Sequence, residues 1–522
     1  MGRVADALKH AVQSPMWQAG KSLNLAAGTG GARGVMAETA FGKNSVLLRI
    51  PRSARFSFPD ALSELSARSS ESKMSQLLQT LEAHEKSASF LPVREHLDLR
   101  QPDEILALAL SLDAIPLQGP GSEWRDLRNL PVFADDRSTG VSWHPFCWSE
   151  DDLELFGDSA TRELASSEQE RLVDGFRRAR ELLDLDFASS EDEFVAKSDV
   201  DYLRVAAFTK SRAFAAPAPR ASSDPNEVVM LLPGGDLLNH ANRSEETCNA
   251  RWIMREVRGV RGSDWCVEFL ARRDVAVDEE LRHAYFGSAA APPNQRLALR
   301  QGFVLPEGER GDILPVNSAD AAVTSEEESD TTVRVHEDGA RALVRIDISH
   351  VEEGDMRNKL MRIGVARAIL QRHDRLLEND SPTECRCFLG PDETSAAALL
   401  QALQALLVPL SESSQRRLLD MLQRAQTDEH NSTKAVDAMT QLIGALWTPR
   451  LDSSLSMLLQ RCVSQQAKLL ASHASDRLQP DDSDCSSDAN LQRNIALAAL
   501  RDEVAVLDTF ACAAGVPLSV TL

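Results

Sequence analysis

Tyrosine is almost missing from this chain: two residues in 522, against 17 phenylalanines and seven tryptophans. Positive charge is also short. Lys plus Arg number 57 and Asp plus Glu 79, a formal charge of −22. A net field of that sign disfavours nucleic acid as a partner, because phosphate contacts need a basic face. Long apolar runs are lacking. The longest, Ala396–Leu410, is interrupted by Gln401 and Gln404, and falls short of the ~18 apolar residues that a membrane helix requires. The first residues hold no secretory apolar region. Asp6 stands where a myristoylation signal after Met1-Gly2 needs Ser or Thr. No membrane attachment is therefore expected. The eight cysteines are scattered, and only Cys385 and Cys387 lie close together. No second pair completes a zinc site, so no metal is expected. Reduced thiols in an intracellular, cytoplasmic protein are the expectation.

What is present is globular material. Hydrophobic residues make up 43% and charged residues 26%, enough for more than one core. At ~150 residues per domain the length suggests two to four domains. Residues 1–57 read as an approach segment followed by β structure. Gly34–Glu38 and Ser45–Ile50 flank Phe41-Gly42-Lys43-Asn44, a pattern that predicts a hairpin. Residues 58–200 lean helical. Ser75–Ala83, Pro102–Leu112, Ser149–Phe156 and Ser166–Leu185 each combine a cap with apolar residues at helical spacing. Val228–Leu232, Trp265–Leu270 and Leu281–Tyr285 are short and β-like. Asn317–Thr332 is rich in Ser, Asp and Glu and reads as a solvated linker. From about His350 the pattern is helical nearly to the end. Leu497, Leu500, Val504 and Leu507 form one apolar stripe, and Ser472–Asn490 reads as an inter-helix loop. The expectation is an α+β region to about residue 310, then an all-helical one.

Gly28-Thr29-Gly30-Gly31-Ala32-Arg33-Gly34 invites comparison with the dinucleotide fingerprint. That fingerprint needs glycine at its sixth position and a helix after it, so that pyrophosphate meets the helix N-terminus. Here the sixth position is Arg33, and Val35–Ile50 reads as β structure. A dinucleotide oxidoreductase is set aside. Two readings remain: a flexible lead-in to a strand, or backbone near Gly34 that approaches a ligand closely for want of a side chain.

Three further segments bear on that choice. They are Lys210-Ser211-Arg212-Ala213-Phe214, then Gly235-Asp236-Leu237-Leu238-Asn239-His240, then Val277 through Tyr285-Phe286-Gly287, followed by Asn294 and Gln301-Gly302-Phe303-Val304. In this order they resemble SET-domain protein methyltransferases. The closest type is the Rubisco large-subunit methyltransferase class, with its actin-histidine methyltransferase relatives. Ala32 through Pro51 is similar to the first SET motif, Asn129-Leu130-Pro131 and Trp148 through Leu153 to the class's insertion, and Asn494–Asp508 to its final helix. The resemblance covers most of residues 25–515.

The resemblance implies a split SET domain of small sheets with a knot-like crossing. Residues 1–57 would hold its first part, 58–200 a helical insertion and 201–312 its second part. Residues 313–332 would be an acidic linker and 333–522 a helical substrate-binding domain. It implies S-adenosyl-L-methionine held by Gly31, Ala32, Arg33, Gly34, Arg212, Asn239, His240 and Tyr285. It implies substrate contacts from Arg212, Asp236 and Trp252, with Tyr285 catalytic. A monomer that docks a protein substrate on its C-terminal helices is expected.

Each residue also has a plainer reading. Asn239-His240 could be an ordinary turn, Asp236 a turn cap, and Arg212 a side chain snorkelling from a helix end. Tyr202 is assigned to packing. A hydroxyl kept at Tyr285 in so tyrosine-poor a chain favours chemistry there. Methyl transfer from a sulfonium to nitrogen needs a neutral nucleophile. Free lysine, with a pKa of ~10.4, is mostly charged at neutral pH, and burial beside a cation favours the neutral amine. Alignment then supplies the rest, and no metal is needed. Lysine ranks ahead of histidine as acceptor. The chain departs from the family at Ala32, at Gln301 in place of the usual tyrosine, and at Arg251-Trp252 beyond Asn-His. The competing reading is a non-catalytic SET-fold protein that holds a partner through its C-terminal helices.

Overall fold

The computed structural model describes residues 23–27, 33–68, 102–112, 144–182, 198–216, 228–241, 246–259, 262–285, 293–305, 340–347, 356–373, 376–377, 384–390, 393–408, 410–427, 429–447, 452–478 and 487–513. Ser75–Ala83, Asn129-Leu130-Pro131 and the linker 313–332 lie outside these residues. The chain divides into two compact units. The first comprises Met1–Ser149, Ala165–Ala291 and Leu299–Glu309, and the second Glu150–Leu164, Pro292–Ala298 and Arg310–Leu522. The second unit thus takes in residues 150–164 and 292–298, which the sequence divides between the insertion and the second SET part.

The described strands of the first unit are β1 Leu23–Ala27, β2 Arg33–Ala37, β3 Val46–Ile50, β4 Phe56–Ser57, β5 Phe214–Ala216, β6 Val228–Leu231, β7 Asn239–His240, β8 Ala250–Gly259, β9 Gly262–Ala271 and β10 Glu280–His283. The main sheet runs β1-β2-β10-β8-β9-β3, with β7 beside β10. A second sheet runs β4-β6-β5. The long hairpin β8–β9 is in register from Ala250↔Ala271 to Gly259↔Gly262. Val267, Phe269 and Ala271 alternate into a core with Val35, Leu48, Ile50 and Leu281, the period-2 pattern of a strand. On the opposite face of β9, Glu268 is fully buried between Arg49, at 2.6 Å, and Arg255, at 2.9 Å.

The hairpin expected between Gly34–Glu38 and Ser45–Ile50 is not there. The turn itself forms: Ser45 N–H donates to the Gly42 carbonyl at 3.0 Å, and Asn44 has φ 65°. The strands on either side part company. β2 lies between β1 and β10, while β3 pairs with β9 through Ile50↔Val267. Phe41 bridges Val275, and Asn44 N–H donates to the Ala271 carbonyl. Distant partners thus take the edge groups that a hairpin would have used.

Helices Phe58–Arg68, Pro102–Ser111 and Asp199–Arg212 belong to this unit, as does most of Ala160–Leu182. Their apolar faces meet in a core that includes Phe56, Ile105, Phe146, Phe176 and Tyr202. Tyr202 stacks on Phe176 at 4.4 Å. The Ser198 side chain caps Asp199–Arg212 by accepting from Asp201 N–H, and the helix stops where Ala213 turns extended.

The second unit is largely helical: Met356–Arg372, Glu393–Leu407, Glu412–Thr427, Glu429–Leu446, Asp452–Arg477 and Ser487–Ala513. It also carries an antiparallel sheet of β11 Ala342–Asp347, β12 Leu376–Leu377 and β13 Glu384–Leu389, in the order β11-β13-β12. Cys385 and Cys387 are buried on β13. The stripe read from the sequence lies on the last helix, with Leu500 and Leu507 fully buried. The loop expected over Ser472–Asn490 is shorter, because the two flanking helices run to Arg477 and begin at Ser487. Among the described residues no helix is long and apolar enough to cross a membrane, and no group of His, Cys, Asp and Glu could hold a metal ion.

Candidate active site

Strand β10 is the hub of the site. One edge pairs antiparallel with β2, through Glu280↔Met36 and Leu281↔Val35. The other pairs parallel with β7, through Arg282↔Asn239 and His283↔His240. Two polar side chains fix its position. Asn249 Oδ1 accepts from Arg282 N–H at 2.9 Å and Asn249 Nδ2 donates to the Glu280 carbonyl at 2.8 Å. Arg273 pairs with Glu279 at 2.5 Å just ahead of the strand. Segments far apart in sequence are thereby brought side by side.

Gly34 faces Glu280. A Cβ on Gly34 would lie 2.6 Å from Glu280 Oε1, so the missing side chain makes room for a carboxylate of the same unit. Glu280 Oε1 accepts from Asn239 Nδ2 at 2.7 Å, and Oε2 from Arg282 Nε at 3.0 Å. The carboxylate is nearly buried, which is tolerable because it is paired and hydrogen-bonded.

Tyr285 is tied at both ends to the segment around β7. Its N–H donates to His240 Nδ1 at 3.2 Å, and its hydroxyl donates to the Leu238 carbonyl at 2.8 Å. With that proton engaged, the phenolic oxygen can meet a ligand only as an acceptor. Phe303 lies 6.0 Å from the His240 ring and 6.2 Å from that of Tyr285. It is turned there by Gly302, whose φ of 72° suits glycine. His283 sits 4.8 Å from Tyr285 and stacks on Phe214 at 5.4 Å, and Phe214 in turn meets Trp252 edge-on at 5.7 Å. Burial pushes the His283 imidazole down to about 3, so it is neutral at physiological pH.

Arg212 Nη1 donates to the Asp236 carbonyl at 2.8 Å, and its guanidinium lies over the Phe208 ring at 5.1 Å. Asp236 Oδ1 accepts from Gly234 N–H at 2.7 Å and so caps its own turn, while Oδ2 is 3.7 Å from Arg212. The helix end that carries Arg212 is anchored by a buried charge cluster. Arg171 grips Glu104 with two hydrogen bonds, and Lys210 Nζ lies 2.9 Å from Glu168. Burial alone would raise the Glu168 carboxyl, but Lys210 and Arg171 outweigh it and hold it at about 2.

Asn239, His240, Trp252 and Tyr285 therefore join one network of rings and hydrogen bonds; Gly34 lies against its Glu280 carboxylate, and Arg212 and Asp236 pair with each other. For Arg33 only the strand is described, and Gly31, Ala32, Phe286 and Gly287 lie outside the described residues. No role for Glu280, His283, Phe214 or Phe303 was legible in the sequence. Alternation along β10 was the available signal, since it separates Glu280 and Arg282 from Leu281 and His283.

No family model matches the sequence, and no curated protein matches it. Solved structures do. The SET domain of LSMT bound to lysine and AdoHcy matches with a TM-score of 0.51 at 13% identity, over 99% of this chain and 91% of that one. The SET domain of LSMT bound to MeLysine and AdoHcy matches with a TM-score of 0.52 at 14% identity, over 98% and 91%. Rubisco LSMT bound to AdoMet matches with a TM-score of 0.50 at 12% identity, over 98% and 91%. The chain has the SET fold of the LSMT structures, with a helical C-terminal region.

Proposed function

We propose that this protein transfers a methyl group from S-adenosylmethionine to a lysine side chain of a protein substrate. The observation that carries the reading is the meeting of Gly34, Asn239-His240 and Tyr285 around β10, in a fold whose solved neighbours hold AdoHcy with lysine or MeLysine. The donor set suits the cosubstrate. Arg212 and Asn239 offer donors for a carboxylate, and Glu280 offers a counter-charge for an ammonium or sulfonium. The residues that would hold it are Gly34, Arg212, Asn239, His240 and Glu280.

S-adenosylmethionine, when bound, supplies an electrophilic methyl group on a positively charged sulfur. The work left to the chain is alignment and exclusion of water. The buried rings of His283 and Phe214, with Tyr285 beside them, favour a neutral amine over an ammonium, because desolvation penalises the charged form. The Tyr285 oxygen can accept weak C–H···O contacts from an electron-poor methyl, second-order in strength but directional. The amine lone pair forms the new C–N bond as the C–S bond breaks, the electron pair leaves with sulfur, and the product ammonium releases its proton to water. The C-terminal helices are the proposed docking face for the substrate protein, and the protein is taken to act as a monomer.

The test is transfer of labelled methyl from S-adenosylmethionine to proteins of a cell extract, with Tyr285→Phe as the control. The full chain is required, because residues 150–164 and 292–298 belong to the second unit and a cut near residue 312 would strand them. Label on discrete proteins supports the reading. Tight cofactor binding with no label would overturn it in favour of a non-catalytic binding protein.

A further inference from the structure

We propose that Asp502, on the last helix, is a positioning residue for the site: it fixes where helix Asn294–Gln301 starts, and through that helix where Phe303 stands against His240 and Tyr285. This rests on the methyl-transfer reading above and adds a residue that acts through another side chain. The first N–H groups of a helix have no partner within it. Pro293, the residue before this helix, has no side-chain acceptor to offer them. Asp502 supplies one, its Oδ2 accepting from Gln295 N–H at 2.8 Å across 207 residues of sequence. The Gln295 side chain is gripped as well. Its Nε2 donates to the Arg341 carbonyl at 2.7 Å and to Thr161 Oγ1 at 3.0 Å, and its Oε1 accepts from Arg341 N–H at 2.7 Å. Thr161 in turn donates to Glu503, the neighbour of Asp502.

Asp502 and Glu503 are both fully buried, and a buried carboxylate is costly unless hydrogen bonds compensate it. These bonds go to the starts of two other helices. Asn294–Gln301 is a short rod, eight residues and about 12 Å long. It runs unbroken from residues of the second unit to residues of the first. Its far end is tightly packed: a Cβ on Gly302 would lie 3.1 Å from His144 Cα. Gly302, with φ 72°, turns the chain into Phe303. A shift or rotation at Gln295 is therefore passed to Phe303, whose ring lies 6.0 Å from that of His240 and 6.2 Å from that of Tyr285.

A cap that only stabilises would lower the melting temperature and leave the reaction alone. A positioning role costs rate in protein that is still folded. Misplacement by about 1 Å near a reacting centre costs about 10²-fold, so loosening one capping bond should cost roughly tenfold. Cofactor affinity should be spared, because Gly34, Arg212, Asn239 and Glu280 lie on other elements.

The experiment compares full-length wild type, Asp502→Ala, Asp502→Asn and Leu507→Ala. The last removes buried contacts on the same helix, one turn beyond Glu503, and so tests destabilisation alone. Four readouts are taken: initial labelling rate at limiting extract, which is proportional to kcat/KM; calorimetric affinity for S-adenosylhomocysteine; thermal unfolding; and fluorine NMR of the same proteins carrying 4-fluorophenylalanine at position 303. Asp502→Ala should lose roughly tenfold in kcat/KM, keep S-adenosylhomocysteine affinity within about threefold and shift the fluorine signal. Asp502→Asn, whose side-chain carbonyl can accept from Gln295 N–H, should recover most of the rate and the signal. Leu507→Ala should melt lower with the rate and signal of wild type. Asp502→Ala that melts lower but matches wild type in rate would overturn the inference while leaving the methyl-transfer reading intact, as would Leu507→Ala losing as much rate as Asp502→Ala. An unmoved fluorine signal overturns the inference whatever the rate. If wild type transfers no label, the methyl-transfer reading falls, and the fluorine signal alone decides whether Asp502 places Phe303. Should Asp502→Ala fail to fold, Gln295→Met, which keeps the side-chain length and loses its hydrogen bonds, takes its place with the same readouts.

Discussion

Removing the Tyr285 hydroxyl separates catalysis from architecture, and the structure changes what the experiment can use. Tyr285→Phe keeps the ring against His283, His240 and Phe303. It deletes the hydroxyl that donates to the Leu238 carbonyl at 2.8 Å. A neutral hydrogen bond of this kind contributes about 1 kcal/mol net, a fall of about 2 °C in the melting temperature of a unit larger than ~250 residues. That loss is expected whether or not the hydroxyl takes part in the reaction, so stability cannot discriminate. Rate can. Losing the weak C–H···O contacts of this oxygen costs about 0.5–1 kcal/mol each, or roughly two- to fivefold in kcat per contact. S-adenosylhomocysteine affinity should change by less than about threefold, because the interaction is used in the transition state and not in binding. The assay is methyl transfer, calorimetric titration of S-adenosylhomocysteine and thermal unfolding on one preparation. A lowered melting temperature with unchanged kcat would refute the argument and make Tyr285 a structural pin on the Leu238 segment.

Glu280→Gln keeps the shape beside Gly34 but removes the charge that Asn239 and Arg282 share; S-adenosylhomocysteine should bind about tenfold more weakly, and an unchanged Kd by calorimetry would remove Glu280 from the site. Tyr202→Phe deletes a buried hydroxyl that has no partner among the described residues, while the stack on Phe176 persists; melting should be unchanged or slightly higher, and a clear drop would reveal an unrecognised donor or acceptor. Glu503 is buried in the second unit, where it accepts from Ala160 N–H, Thr161 N–H and the Thr161 hydroxyl, and burial pushes its carboxyl up from 4.5 to about 7 despite these bonds. A raised carboxylate pKa means the folded state holds the proton that the unfolded state has lost, so stability should fall as pH rises from about 4.5 to 7, by roughly 3 kcal/mol in all. Glu503→Gln should flatten that slope in denaturant titrations across the window.

The local pieces were legible from residue order alone. Apolar spacing marked Pro102–Ser111 and the last helix, whose Leu500 and Leu507 are buried, and β-like runs marked β6, β9 and β10. Motif order alone joined Arg212, Asn239-His240 and Tyr285 into one reading of the chain. Pairing was beyond it. Strand periodicity tells which residues share a face but not which strand lies alongside, so Gly34–Glu38 and Ser45–Ile50 read as a hairpin although β2 joins β10 and β3 joins β9. The small sheet β11-β13-β12 escaped for the same reason, since its short strands lie among helices and gain their identity from one another. The same holds at the site. Gly34 reads in sequence as room for a ligand, yet only the packed sheet shows Glu280 filling that room. His283 reads as one more residue of a strand; only tertiary packing buries its Nε2 with no hydrogen-bond partner among the described residues and sets Phe214 and Phe269 beside its ring. Local propensity is written residue by residue, whereas an unmet hydrogen bond is a property of everything folded around it.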